Sequence, residues 1–246
     1  MVAGRVTLMP EPVPADRVLV VTAHPDDVDF GAAGTVASWT DQGIEVVYCI
    51  ITDGEAGGSD RTVSRADVAA LRREEQTAAA KVLGVTEIHF LGHSDGRLQP
   101  TLELRRDISR IIRLVRPGRV LTQSPERNFQ RIYASHPDHL AAGEAALCAV
   151  YPDARNPFSF PELLDEGLEP WAVPEVWMMV GNAHTAWVDI TDTFDRKVDA
   201  LRAHTSQTSH MENLAEFLRG WAVAQAQAGG LANGRLAEGF QVIQTG

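Results

Sequence analysis

The sequence predicts an α/β fold with a doubly wound, mostly parallel sheet flanked by helices, on three observations. Short, continuous apolar runs recur along the chain, stretches of helical periodicity separate them, and the densest polar clusters stand immediately after the runs. Continuous valine-rich runs suit strands covered on both faces. Regular alternation with helices suits a parallel sheet, and polar residues beyond the strand ends suit the place where such sheets hold ligands.

The first run, RVLVVTA (17–23), reads as a buried strand, and EVVYCIIT (45–52) as the next. Between them GAAGTVASWTDQG is small, apolar on one side and closed by Gly43, as a crossover helix with a glycine stop should be. GEAGGSDRTVS (54–64) is too glycine-rich and polar for a regular element, and its position after a strand makes it the candidate lid. A helix follows through RADVAALRREEQTAAAKVLG, then strand EIHFL, helix LELRRDISRIIRLVRP stopped at Pro117, and strand RVLTQS. After a helix beginning near Ser135, residues 151–174 are proline-rich and irregular, and they read as a surface excursion that walls the pocket. EVWMMV and WVDIT are further strands, DTFDRKVDALRAHTSQ and MENLAEFLRGWAVAQAQA helices, and GFQVIQ a last strand. The whole is a Rossmann-like layout in one domain, 1–246, with its ligand site at the carboxyl ends of the strands.

Composition narrows the function. Of 246 residues, 44% are apolar and 22% charged, the balance of an ordinary soluble globular protein rather than a disordered or fibrous one. No run approaches the roughly 20 apolar residues of a membrane span. The first residues lack the pattern of a secretory signal, so the expected location is cytoplasmic. The two cysteines, Cys49 and Cys148, fall in apolar runs and suggest no disulfide. A formal charge of −11 argues against nucleic acid as a partner. A small-molecule substrate is expected, and a homo-oligomer stays open.

Chemistry concentrates in two clusters. AHPDDVDFG (23–31) falls where the first strand should end, and three carboxylates with an imidazole there need a reason. The turn has no glycine pattern for phosphates, which aspartates would in any case repel, so a cation is the natural guest. SHPDHLAAGEAAL (135–147) reads as a helix start with Ser135 as N-cap and Asp138 at the third helical position, placing His136 and His139 on one face. Histidines from the second cluster, with His24 and an aspartate from the first, supply the nitrogens and hard oxygen of a three-ligand zinc site with one position open. A two-His, one-Asp set does not distinguish zinc from iron(II) or another divalent ion. Asp26 and Asp27 can divide the roles of ligand and base, but spacing alone does not say which is which.

Together the two clusters resemble the PIG-L (LmbE-like) deacetylase family, whose members include the de-N-acetylases of GPI-anchor, mycothiol and bacillithiol biosynthesis. LRREEQTAAAKVLG, LGHSDGRL, WVDIT and KVDALRAHTSQ fit the same pattern, so the resemblance covers nearly the whole chain. It implies zinc, one ion per chain, on His24, Asp27 and His139, with Asp26 as general base. It implies that His136, as imidazolium, stabilises the oxyanion or protonates the leaving amine, that Asp138 orients a neighbouring histidine, and that Arg72, at its spacing from Glu75, contacts substrate. The substrate implied is an N-acylated amino sugar such as an N-acetylglucosamine conjugate. Where some members carry a tyrosine two residues before the first histidine of HPDH, this chain has Ala134, with Tyr133 one place earlier.

Other polar residues have plainer readings. Asp29 fits the first turn of a helix, where a carboxylate faces the positive end of the dipole. His93 and Asp95 are left outside the metal set, because a Ser-Asp-Gly turn explains Asp95. His184 is divided between the pocket and a surface turn, and His204 is read as packing or capping a helix. Two other functions compete: a two-metal phosphohydrolase built on His24, Asp26 and Asp29 as H-x-D-x-x-D, and a metal-stabilised sugar-binding protein without catalysis.

Overall fold

The computed structural model describes residues 16–58, 60–129, 132, 135–179 and 183–246; Tyr133 and Ala134 therefore lie outside the described residues. Seven strands form one mixed sheet: β1 (Arg17–Thr22), β2 (Glu45–Thr52), β3 (Glu87–His93), β4 (Arg119–Gln123), β5 (Glu175–Met179), β6 (Ala186–Asp189) and β7 (Ala237–Gln244). Their order is β3-β2-β1-β4-β5-β7-β6. The first five pair in parallel, and β7 runs antiparallel between β5 and β6. The chain winds outward from β1 to β3, then returns to lay β4 on the other side of β1. The crevice between β1 and β4 is thus the switch point at which such sheets open to ligands.

The helices are α1 (Asp27–Asp41), α2 (Arg65–Val82), α3 (Leu102–Val115), α4 (Pro137–Cys148), α5 (Glu162–Asp165), α6 (Phe194–Ala203), α7 (Thr205–Thr208) and α8 (Leu214–Ala228). One core joins the sheet to α1, α2, α6 and α8, and a second joins its other face to α3 and α4. Both faces are covered, which is why the strands read as continuous apolar runs. No helix among the described residues is long and apolar enough to cross a membrane.

Several expectations change. The first helix begins at Asp27, inside the polar cluster rather than after it. Ser135 does not cap α4: its hydroxyl accepts from the Asn128 N–H at 2.7 Å, while the N-cap is His136, whose Nδ1 accepts from the Asp138 N–H at 3.2 Å. The helix expected over 192–207 breaks at His204 into α6 and α7. The excursion does not wall the strand-end crevice. Arg105 grips Asp153, and Arg113 donates to the carbonyls of Ala154, Asp153, Asn156 and Ser159, tying it to α3. Trp171 donates to Pro117 O, just ahead of β4, which puts this end of the excursion at the amino ends of the strands, opposite the switch point.

Close approach fixes where the two site helices start. Gly31 and Gly34 let α1 lie on Met179 and Ile190, since a Cβ on either would overlap those side chains. Gly143 does the same for α4, whose backbone presses on the Gln123 carbonyl and lies where a Cβ would sit 2.9 Å from Pro125 N. Because backbone there cannot yield as a flexible side chain can, Gly143→Ala should destabilise the protein by about 1–3 kcal/mol. Urea unfolding checks this, and a variant as stable as the parent would show that α4 is not held by this contact.

Candidate active site

The two clusters meet. β1 delivers His24 and the start of α1, its neighbour β4 leads to the start of α4, and side chains 115 positions apart come within bonding distance. His24 Nδ1 lies 3.2 Å from His139 Nε2 and 3.3 Å from Asp27 Oδ2, and His139 Nε2 lies 2.9 Å from Asp27 Oδ1. A tetrahedral ion with bonds of about 2.0–2.2 Å holds its ligands roughly 3.3–3.6 Å apart, so the two nitrogens and the two Asp27 oxygens stand at or a few tenths of an ångström inside the spacing at which the three side chains would share one. Two imidazole nitrogens and a carboxylate also form a donor set that zinc accepts. His136 stands beside them, its ring 5.1 Å from that of His24 and 5.2 Å from that of His139.

The far side of the His24 ring is equally determined. Its Nε2 lies 3.1 Å from Asp95 Oδ1 and 3.4 Å from Asp138 Oδ2. Both carboxylates are anchored by backbone donors, Asp95 by the Ala56 N–H and Asp138 by the N–H groups of Gly96 and Leu98. A carboxylate facing one ring nitrogen fixes the proton there and turns the other lone pair towards the ligand position. Burial would favour a neutral His24, but Asp27, Asp138 and Asp95 overcome it and raise its pKa far above the ordinary value. Burial likewise opposes charge on Asp27, yet His139 and His24 hold its carboxyl well below the usual range. So much carboxylate around one ring suits a cation.

Asp26 is the other half of the turn. At φ 85° it occupies the left-handed region, which costs a non-glycine residue energy and persists only where neighbours enforce it. Gln76 Oε1 accepts its N–H at 2.8 Å, and Arg72 donates to its Oδ2 at 2.9 Å and to the Pro25 carbonyl at 2.6 Å. Its side chain caps no N–H of α1, so the carboxylate is left over for other work. Burial pushes that carboxyl up to about 6, with Arg72 opposing and Asp27 adding to the rise.

Arg72 itself is 4% exposed, with its guanidinium bonded to Gly54 O, Pro25 O and Asp26. It stands behind the turn and holds it, rather than facing open space where a substrate would lie. His136 is exposed, with Nδ1 occupied as acceptor for the Asp138 N–H, so its proton sits on Nε2. Burial, His24 and His139 together lower its pKa; an imidazolium would forfeit the cap. The carboxylate of Asp138 faces His24 Nε2 rather than the His136 ring.

Asp95 was passed over in the sequence because turn chemistry accounts for it; its place directly after β3, at a carboxyl end, was the available signal. His93 pairs with Asp107 and stays outside the cluster. Asp29 lies in the first turn of α1 as expected, but is fully buried against Gln76 and His204, each at 2.9 Å. It is thereby withdrawn from H-x-D-x-x-D, and no second-metal position forms on that motif among the described residues. In the glycine-rich loop, Gly54 and Gly57 lie against Arg72 so closely that a Cβ on either would overlap it.

Comparison with known proteins gives a concordant result. A family profile described as PIG-L: GlcNAc-PI de-N-acetylase matches residues 19–150. The diacetylchitobiose deacetylase of Thermococcus kodakarensis is 38% identical over 191 residues, 78% of this chain and 70% of that one. A Bacillus cereus protein named "Probable N-acetyl-alpha-D-glucosaminyl L-malate deacetylase 2" is 34% identical over 203 residues, covering 79% and 85%. Among solved structures, the N,N'-diacetylchitobiose deacetylase of Pyrococcus horikoshii in complex with its inhibitor MPG superposes with a TM-score of 0.86 at 33% identity, over 94% of this chain and 85% of that one.

If Asp95 orients His24, Asp95→Asn should weaken divalent-ion affinity about 10- to 100-fold. Competition against a metal indicator measures this, and unchanged affinity would remove Asp95 from the site.

Proposed function

The chain belongs to the PIG-L (GlcNAc-PI de-N-acetylase) family, and from that premise we propose that it is a metal-dependent hydrolase that removes the N-acetyl group from an N-acetylglucosamine conjugate. The observation that carries the reading is the convergence of His24 Nδ1, Asp27 and His139 Nε2 within 3.3 Å of one another, beside an aspartate that makes no helix cap.

His24, Asp27 and His139 would hold one divalent ion; the donor set accepts zinc, the ion the family resemblance implies, without excluding another divalent metal. Bound there, the ion supplies Lewis-acid polarisation of the amide carbonyl and acidification of water towards neutrality. Asp26 takes the proton from the attacking water: its carboxyl, raised to about 6, is matched to a proton acceptor working near neutral pH. Arg72 holds that carboxylate by donating to its Oδ2, and Gln76 holds the backbone of the same residue by accepting its N–H. His136, on the exposed side, offers its Nε2 proton to the oxygen on which charge develops in the tetrahedral intermediate. The proton gained by Asp26 then passes to the departing nitrogen, releasing the free amine and acetic acid, which gives up its own proton to the amine or to solvent and leaves as acetate.

The test is release of primary amine from N-acetylglucosamine conjugates by zinc-loaded protein. Asp26→Asn should retain the ion and lose about 10²- to 10⁴-fold in kcat. Asp27→Ala should lose the ion itself, read by metal analysis after gel filtration. A metal-free Asp27→Ala protein that stays active would contradict the assignment, as would an Asp26→Asn protein with undiminished turnover.

A further inference from the structure

Asp26 is gripped twice from α2. Arg72 and Gln76, four residues apart and so on one face of that helix, divide the work: Arg72 donates to the Asp26 carboxylate, and Gln76 Oε1 accepts the Asp26 N–H at 2.8 Å. The second grip acts on the backbone, which at φ 85° needs enforcement. An amide side chain can turn over and exchange its oxygen for its nitrogen, and a flipped Gln76 would set one donor against another at the Asp26 N–H. The grip therefore depends on whatever fixes the direction in which Gln76 faces.

Asp29 fixes it. A carboxylate only accepts, and Asp29 Oδ2 takes a bond from Gln76 Nε2 at 2.9 Å, which leaves Gln76 Oε1 facing Asp26. The same oxygen lies 2.9 Å from His204 Nε2, so that nitrogen carries a proton. Asp29, Gln76 and His204 are all fully buried, and neither Asp29 nor His204 can meet a substrate. A carboxylate this deep is tolerated where donors and opposite charge surround it, and His204 provides both. Burial alone would lower the His204 pKa, but the bond to Asp29 and the charges of Asp29, Asp26 and Glu75 raise it. Asp29 Oδ1 and His204 Nδ1 have no partner among the described residues, so the side chains of this pair reach outward through Gln76. His204 is itself held firmly: its carbonyl accepts from the N–H groups of Gln207 and Thr208, and Ser206 is clamped to Glu75 of α2 through both its N–H and its hydroxyl.

We propose that His204 and Asp29 are positioning residues for the general base: through Gln76 they hold the Asp26 backbone so that its carboxylate meets the attacking water, without touching ion or substrate. The proposal rests on the reading of Asp26 as that base. The metal ligands are held by other contacts, His24 by Asp95 and Asp138 across its ring and Asp27 by the His24 N–H at 2.7 Å. Loss of His204 therefore acts on turnover and spares the ion.

The experiment measures kcat, KM and divalent-ion affinity in His204→Leu, His204→Gln, Gln76→Met and the double variant of His204→Leu with Gln76→Met. The probe is whichever of N-acetylglucosamine, N,N'-diacetylchitobiose and N-acetylglucosaminyl malate the parent turns over fastest. His204→Leu and Gln76→Met should each lower kcat about 10- to 100-fold, with KM and ion affinity within about twofold of the parent. His204→Gln, which keeps a donor for Asp29, should restore most of the turnover. Because these residues act in one chain of hydrogen bonds, the double variant should fall no further than Gln76→Met alone. Undiminished kcat in either single variant, losses that multiply in the double variant, or ion affinity lost together with turnover would overturn the proposal. Should His204→Leu not fold, Asp29→Leu, which removes the buried charge and frees Gln76 to turn, takes its place with the same expected results. No amine from any probe overturns the deacetylase reading instead, and hydrogen exchange at the Asp26 amide then decides the positioning. Exchange about tenfold or more faster than in the parent, with the amides of β1 unchanged, supports it; equal exchange overturns it.

Discussion

Everything in the site depends on the parallel pairing of β1 with β4. Val18 of β1 pairs with Arg119 of β4, 101 positions later in the chain, yet the two strands are adjacent in the sheet. That adjacency sends both polar clusters out of the same crevice, one on the start of α1 and the other on the start of α4. Helix α1 lies on one face of the sheet and α4 on the other, so the ligand atoms approach from both sides of the switch point. Glycines at 31, 34 and 143 set how near the two helices come to the strand ends. A site needing atoms placed within a few tenths of an ångström is thus built on regular elements, with few degrees of freedom left to loops.

Around this frame lies a shell that holds the HPDD turn in a conformation it would not adopt alone. Asp26 in the left-handed region is kept there by Arg72 and Gln76 from α2. Gln76 bonds Asp29, which bonds His204 at the junction of α6 and α7, and Glu75 accepts from both the N–H and the hydroxyl of Ser206. Residues of α1, α2 and α7, with His204 at the junction of α6 and α7, are therefore linked behind one turn. The strain lies where the chemistry is, and buried polar contacts far along the chain offset it.

Much of this was legible in the sequence, for identifiable reasons. Strands covered on both faces leave short, β-branched apolar runs bounded by polar or glycine-rich segments, so β1, β2, β4 and β5 stood out. His24, Asp26, Asp27, His136 and His139 were visible because polar clusters at strand ends have few structural explanations. The pairs that were not visible join distant segments. Asp29 with His204 is 175 positions apart, and neither residue looks unusual in its own helix. Asp95 was hidden by a turn that justified it locally. Arg72 was legible as an important arginine, but its role behind the turn depends on Gly54, Pro25 and Asp26 meeting around it, which only the fold reveals. The excursion misled for a related reason: irregular composition marks a surface segment without marking which end of the sheet it covers.

The central claim is that one cation sits between His24, Asp27 and His139. Anomalous diffraction at the zinc edge from a metal-loaded crystal tests it most directly. The account predicts a single peak per chain, about 2.0–2.2 Å from His24 Nδ1, an Asp27 oxygen and His139 Nε2. A peak on the opposite side of the ring, between His24 Nε2, Asp95 and Asp138, or a second ion bridging to the first, would contradict it.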